Sequence, residues 1–361
     1  MGSNQEKPLK KISAFQLGLS VAGSILGAGY VSGQELWQYF VSFGWKGTVG
    51  MVLSLLLLGS LNDITCKLAY DTGLTTIDSL VVRKNIPWLK ALVQVMTILF
   101  YLMVAGIMAT GIGSLCNRIF GIPVWLGTIL TLLLNAAVVA FGFTGLVRLF
   151  SLSVPVLIVS AVVISCLRLG SDGIGNFNTA ASATVNPMIS NWGISAVNYA
   201  FMNYFGMIPI ITPIAVNARK RSGISLGSIL GAFLLIVIAL FIVLALQVSP
   251  QYCGYDLPML EIASTVGKAA WYIYAFLLFL GMFQSCVACN NVIVYYGIDK
   301  YPSWKKYAWV LILLLCVVEF FMSIRGFSGL IAVVYPIAGY CAILIVVLII
   351  EHRIHIHKQK K

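Results

Sequence analysis

The chain has 361 residues, of which 60% are apolar and only 9% charged, with a net charge of +12. An ordinary soluble domain carries roughly 25% charged residues, so this composition cannot cover a water-facing surface. It excludes a cytosolic enzyme, a secreted domain and a disordered tail.

Apolar runs long enough to cross a bilayer recur along the whole chain, at about 12–43, 47–69, 89–117, 123–142, 145–168, 193–216, 224–248, 269–296, 307–323 and 328–350. A hydrocarbon core of about 30 Å needs about 20 helical residues. The sequence therefore reads as an all-α membrane protein of ten transmembrane helices with no room for a soluble domain. With ten spans, 18 of the 23 Lys and Arg residues fall on one side, which predicts both termini in the cytoplasm. No cleavable leader is expected. Tryptophans 45, 88, 125, 192, 271, 304 and 309 fall near predicted span ends, where interfacial anchoring explains them. The eight cysteines are scattered and read as small packing residues rather than a metal or redox set.

The expected domain order is a cytoplasmic segment 1–11, a first repeat 12–168, an external linker 169–192, a second repeat 193–350 and a basic tail 351–361. Five spans per half make the second half enter from the opposite face, the arithmetic of an inverted repeat. The tail holds His352, His355 and His357, all three histidines of the chain, and reads as a solvated basic segment near anionic lipid.

The first span of each half is irregular. Residues 12–43 would form a helix of about 48 Å, too long for the bilayer. Near its middle lies Gly27-Ala28-Gly29-Tyr30-Val31-Ser32-Gly33-Gln34-Glu35, whose three glycines weaken a helix by about 1 kcal/mol each. Span 6 carries Asn198, Asn203, Tyr204, Gly206, Pro209 and Pro213. These features predict broken helices at spans 1 and 6, with small-residue packing at Gly23/Gly27 and Gly29/Gly33 as the plainer reading. A break exposes N–H groups near Gly33 that can hold a carboxylate, and carbonyls near Gly23 and Leu26 that can hold a cation. Together they suit a zwitterionic solute.

Residues 27–40, Gly-Ala-Gly-Tyr-Val-Ser-Gly-Gln-Glu-Leu-Trp-Gln-Tyr-Phe, resemble the opening motif of the YkvI-type permeases. That family is placed in the amino acid/polyamine/organocation superfamily, with a LeuT-like five-plus-five inverted-repeat fold. The resemblance implies a solute held between spans 1, 3, 6 and 8, and alternating access. It implies Gly27, Ala28 and Gly29 in the unwound part of span 1, Asn203 to Gly206 in that of span 6, and Tyr101 facing the pocket. It also implies a sodium site against span 8, where this chain reads Gln284-Ser285-Cys286, with one hydroxyl where two are common.

The candidate substrate-binding set is thus Gly27, Ala28, Gly29, Ser32, Gly33, Gln34, Glu35 and Trp37 from span 1, Tyr101 from span 3, and Asn198, Asn203, Tyr204 and Gly206 from span 6. The candidate ion-coupling set is Glu35, Gly23, Leu26, Gln284 and Ser285. Glu35 is the leading carboxylate, as an amine partner, a proton carrier or a structural acceptor of first-turn N–H groups. Trp37 reads as a solute cap or as packing. Asp63 and Lys67 are spaced to pair on one helix face. Glu319 is expected to pair at the interface with Arg325.

The expected function is a secondary transporter of a small amino-acid-like solute in the bacterial plasma membrane, coupled to sodium or protons. The alternative is a membrane nutrient receptor of the germination-permease type. No enzyme chemistry, cofactor, structural metal or nucleic acid is expected; the partners are a small solute and the lipid bilayer.

Overall fold

The computed structural model describes residues 12–84, 86–141, 144–172, 185–300 and 302–359. Those residues form helices α1 (Ala14–Ile25), α2 (Ala28–Val31), α3 (Gln34–Tyr39), α4 (Trp45–Thr72), α5 (Ile77–Val81), α6 (Pro87–Phe120) and α7 (Val124–Phe141) in the first half. The second half follows α8 (Thr144–Asp172) with α9 (Trp192–Val216), α10 (Arg221–Gln247), α11 (Pro258–Val266), α12 (Lys268–Lys300), α13 (Ala308–Ser323) and α14 (Phe327–Gln359). Six of them, α4, α6, α9, α10, α12 and α14, are long and apolar enough to cross a membrane, and four shorter apolar helices lie at Ala14–Ile25, Val124–Val139, Pro155–Ser171 and Ala308–Ser323. Each overlaps one of the ten apolar runs read from the sequence. Leucines, valines and phenylalanines stand exposed along their outer faces, as lipid contact requires.

Packing follows a paired pattern. Helix α1 lies on α10 while α4 lies on α9, and α6 packs on α13 while α12 packs on α7. Each pair becomes its partner when the first five apolar runs are exchanged with the last five. Small residues set the closest approach: Cβ atoms at Gly227 and Gly231 would press within 3.0 Å of Ala14, Leu17, Val21 and Gly18. Gly23, expected to serve such packing, instead faces open space with nothing within 4 Å of a Cβ.

The first span is interrupted twice. Helix α1 begins on a capping box, with Ser13 and Gln16 bonded reciprocally. It stops at Leu26, and the Gly27 N–H, which a continuous helix would aim at Gly23, turns to the Ile25 carbonyl at 2.6 Å. The short α2 then ends at Ser32–Gly33, where Gly33 takes a φ of 84° and packs on Met259 and Leu246. Carbonyls released there are taken up at once: the Tyr274 hydroxyl donates to Val31 and the Met259 N–H to Ser32.

The sixth span corrects the expectation of a second break. Helix α9 runs without interruption through Asn203–Gly206 and across Pro209 and Pro213. A proline removes one hydrogen bond, which an apolar helix survives when neighbours serve the loosened carbonyls. Side chains add hydrogen bonds along the same stretch: Tyr101 of α6 donates to Gly206 at 3.0 Å, and Thr212, Asn203 and Asn217 donate to the Ile208, Tyr199 and Pro213 carbonyls one turn back at 2.8, 3.1 and 2.9 Å.

Basic residues gather at one end of the bundle. Asp71 at the end of α4 accepts from Arg221 of α10 and Arg353 of α14. The segment read as a solvated tail from residue 351 instead continues α14: Glu351 pairs with Arg83 and the buried His352 reaches the Leu80 carbonyl. A helix end with local partners has no reason to leave the protein surface. Asp63 and Lys67 pair at 2.7 Å, as their spacing predicts. All eight cysteines are free. Most of the linker read at 169–192 lies outside the described residues, which resume at residue 185.

Candidate functional site

The first interruption of span 1 opens onto a cavity of about 550 Å³ walled by α1, α2, α6, α9, α12 and α14. Its floor is buried, formed by Gly29, Tyr30, Glu35 and Tyr335. Its mouth is open: Gly23, Ile210, Ala288 and Val292 line it and are exposed. The mouth lies toward the end where α9 finishes and Arg219 to Arg221 follow.

Glu35 dominates the floor. It stands in the first turn of α3 and is 5% exposed. One carboxylate oxygen lies against Gly29, 3.1 Å from where a Cβ would stand, so only glycine leaves that space free. Asn203 and Tyr199 of α9 are the polar side chains that interact with the carboxylate directly. The Tyr199 hydroxyl is buried and falls short of hydrogen-bond geometry. No Lys, Arg or His occurs among the described residues lining the cavity. A carboxylate taken out of water without a cation is costly, so its charge has to be met by a cation or by a proton. Phe100, Tyr101, Met108 and Met202 supply an apolar wall beside it.

Of the expected substrate-binding residues, Gly27, Gly29, Glu35, Tyr101, Asn203 and Gly206 line this cavity. Tyr101 spends its hydroxyl on the Gly206 carbonyl, and Gly206 lets the Phe100 ring lie flat against α9, where a Cβ would come within 2.7 Å. Ala28 begins α2 immediately after the interruption. Ser32, Gly33, Gln34, Trp37, Asn198 and Tyr204 do not line the cavity. Ser32 is buried and donates to the Gly29 carbonyl, shaping the turn. Gly33 and Trp37 are packed between neighbours, away from the cavity. Gln34 is buried with an unpartnered Oε1. Asn198 accepts from Tyr39 and donates to Pro336, joining α3, α9 and α14. Tyr204 is bonded to Thr65 of α4. Polar residues on α9 thus split between two faces, and only those facing α1 reach the cavity.

All five ion-coupling candidates border the same space. Gly23, Leu26, Gln284 and Ser285 line it with Glu35. Ser285 lies 3.6 Å from a Cβ built on Gly27, so α12 touches the interruption where the sequence places a lone hydroxyl. That hydroxyl donates to Gly281 at 2.9 Å and keeps its lone pairs. Gln284 carries an unpartnered buried Oε1.

Sequence reasoning passed over Tyr30 and Tyr335. Tyr30 lies inside the glycine-rich motif, and its hydroxyl donates to Leu235 of α10. Tyr335 precedes Pro336 in span 10, a helix interruption signal like those weighed in span 6. Sequence reasoning also misplaced Glu319. It is fully buried on α13 and accepts from Asn290, while Arg325 is exposed, so the expected interfacial pair does not form. Helical rotation turns residue 319 toward α12, which no local spacing reveals.

The opposite end is shut. Gln38 of α3 donates to the Ser328 carbonyl of α14 at 3.0 Å. Asp256, in the loop before α11, accepts from Ser114 of α6 at 2.7 Å and from both the hydroxyl and the N–H of Ser328. Arg118 of α6 makes a bidentate pair with Glu261 of α11 at 2.6 and 2.7 Å.

No protein-family model matches the chain. It is 25% identical over 341 residues to the uncharacterized membrane protein YkvI of Bacillus subtilis (strain 168), covering 92% of this chain and 94% of that one. The inward facing conformation of Mhp1, a nucleobase-cation-symport-1 family transporter, matches with a TM-score of 0.66 and 15% identity, over 95% of this chain and 77% of Mhp1. MhsT in complex with L-phenylalanine matches with a TM-score of 0.63 and 17% identity, over 91% and 87% of the two chains. The protein is an all-helical integral membrane protein that shares its fold with Mhp1 and MhsT.

Proposed function

We propose that this protein is a secondary active transporter of a small amino-acid-like solute, working by alternating access. All ten apolar helices span the bilayer in this reading, with 12–168 and 193–350 as inverted repeats and both termini cytoplasmic. The paired packing of α1 on α10 and α4 on α9 supports the repeat. The observation that carries the reading is Glu35: a buried carboxylate without a cationic partner, at the floor of a cavity reached through an interrupted helix. The solute's ammonium sits on Glu35. Its carboxylate takes main-chain N–H groups left free where α1 gives way to α2. Coupling runs through a proton on Glu35, or through sodium held by the Gly23 and Leu26 carbonyls with Ser285.

With the basic end cytoplasmic, this is an inward-open state. The test is uptake of a panel of radiolabelled amino acids and amines into proteoliposomes, with and without sodium and at two pH values. Counterflow by preloaded solute is expected. Binding without counterflow would instead make the protein a nutrient receptor.

The outer closure yields a separate expectation. Ile331 lies on the α14 stripe between Ser328 and Tyr335 and is fully buried. In an Ile331→Cys protein, adding Asp256→Ala is expected to speed modification by an impermeant external thiol reagent about tenfold, as loss of roughly 1.4 kcal/mol of closure would. The parent lacking Ile331→Cys sets the baseline. Native Cys253, in the same outer loop, contributes little because burial pushes its thiol up to about 12. Equal rates would mean that Asp256 does not hold the closure.

A further inference from the structure

A second carboxylate is sealed inside the bundle, away from the cavity floor. Glu319 has no solvent exposure. Its helix α13 packs on α6, α7 and α12. Helix α6 approaches at Gly106, where a built Cβ comes 3.7 Å from the Glu319 Cα, and so offers no side chain there. From α12, the Asn290 amide donates to Glu319 Oε2 at 3.4 Å, a long bond. From α7, Asn135 donates to the Cys286 thiol at 3.1 Å. Cys286 and Cys289 of α12 and Cys316 of α13 are the other titratable groups in electrostatic reach of Glu319. Among the described residues no cationic side chain interacts with it.

The hydrogen bonds around this group do not balance. Glu319 Oε1, Asn290 Oδ1 and Asn135 Oδ1 are all buried acceptors without a partner. Asn290 and Asn135 are 2% and 1% exposed. Buried polar groups are ordinarily satisfied, so orphan oxygens on Glu319 and on the Asn290 that donates to it call for a common cause, with Asn135 joined to them through Cys286. All three are acceptors, so what is missing is a donor. A proton on Oε1 turns that atom from acceptor to donor, removes the unpaired charge and serves an amide oxygen.

We propose that Glu319, Asn290 and Asn135 form a proton-binding site in the packed interior of α7, α12 and α13, distinct from the Glu35 floor. Hydronium gives its proton to the Glu319 carboxylate and leaves as water; the reverse step releases it. Cys289 lines the main cavity and lies within electrostatic reach of Glu319, so in this proposal the proton enters from the cavity side of α12. The site stands on these contacts alone and does not require the transport reading.

The test is pH-titrated infrared difference spectroscopy on the full-length protein in lipid nanodiscs, in a Glu35→Gln background. A carbonyl stretch of a protonated, buried carboxylic acid is expected, reversible with pH and absent once Glu319→Gln is added. Asn290→Ala and Asn135→Ala, which retain the acid, are expected to shift that band by removing the hydrogen bonds around it. A band that survives Glu319→Gln, or that neither truncation moves, overturns the proposal. So does thermal stabilisation by sodium over choline that Glu319→Gln abolishes, because the orphan oxygens would then belong to a metal cation.

Discussion

Glu35→Gln is expected to abolish solute uptake while the protein is made, inserted and folded at its normal level. The substitution keeps the shape of the side chain and removes its charge. Truncating one member of a desolvated charge pair costs about 2–5 kcal/mol, so binding of the solute ammonium falls by roughly one and a half to three and a half orders of magnitude. Stability moves the other way. Without solute, Glu35 is a buried charge with no cationic side chain beside it among the described residues. Neutralising it removes a desolvation cost, so the melting temperature of the unliganded protein holds or rises. Uptake in proteoliposomes and thermal melting of the same preparation check both halves. Uptake at the normal rate would take Glu35 out of the mechanism; a collapsed melt would make it a structural acceptor for first-turn N–H groups.

The largest effect on folding is expected from Gly47→Ala. A Cβ at Gly47 would overlap the Phe40 carbonyl oxygen and lie 2.6 and 3.0 Å from the Phe40 carbonyl carbon and Cα. These are main-chain atoms, held by the turn that joins α3 to α4. No rotamer change relieves the clash, and the predicted loss exceeds about 4 kcal/mol, beyond ordinary core substitutions. The folded fraction on size-exclusion chromatography should fall sharply. Gly23→Ala is the contrast: it meets nothing within 4 Å and should fold normally. Equal yields for the two would show that the 40–47 turn can shift.

The two substitutions separate what each glycine does. Gly47 permits a chain crossing, whereas Gly23 sits at the open cavity mouth with its carbonyl released by the turn of Gly27. In the sequence both are simply glycines in apolar runs. Trp37 and Glu35 pose the same problem. They are two residues apart, both buried, yet only Glu35 reaches the cavity. About 100° of helical rotation per residue separates such neighbours by more than half a turn.

Composition and the spacing of apolar runs determined the membrane class and the ten apolar helices. Three clustered glycines determined that span 1 cannot stay a single rod, since local backbone cost does not depend on distant partners. Only the tertiary structure decided that span 6 stays whole, in a stretch where Tyr101, more than a hundred residues away, bonds the Gly206 carbonyl. Only it decided that Glu319 turns inward to Asn290 rather than outward to Arg325. A helix's polarity can be read along its length, but its rotation against its neighbours is set by packing between segments far apart in the chain, and that rotation assigns each polar side chain to lipid, core or cavity.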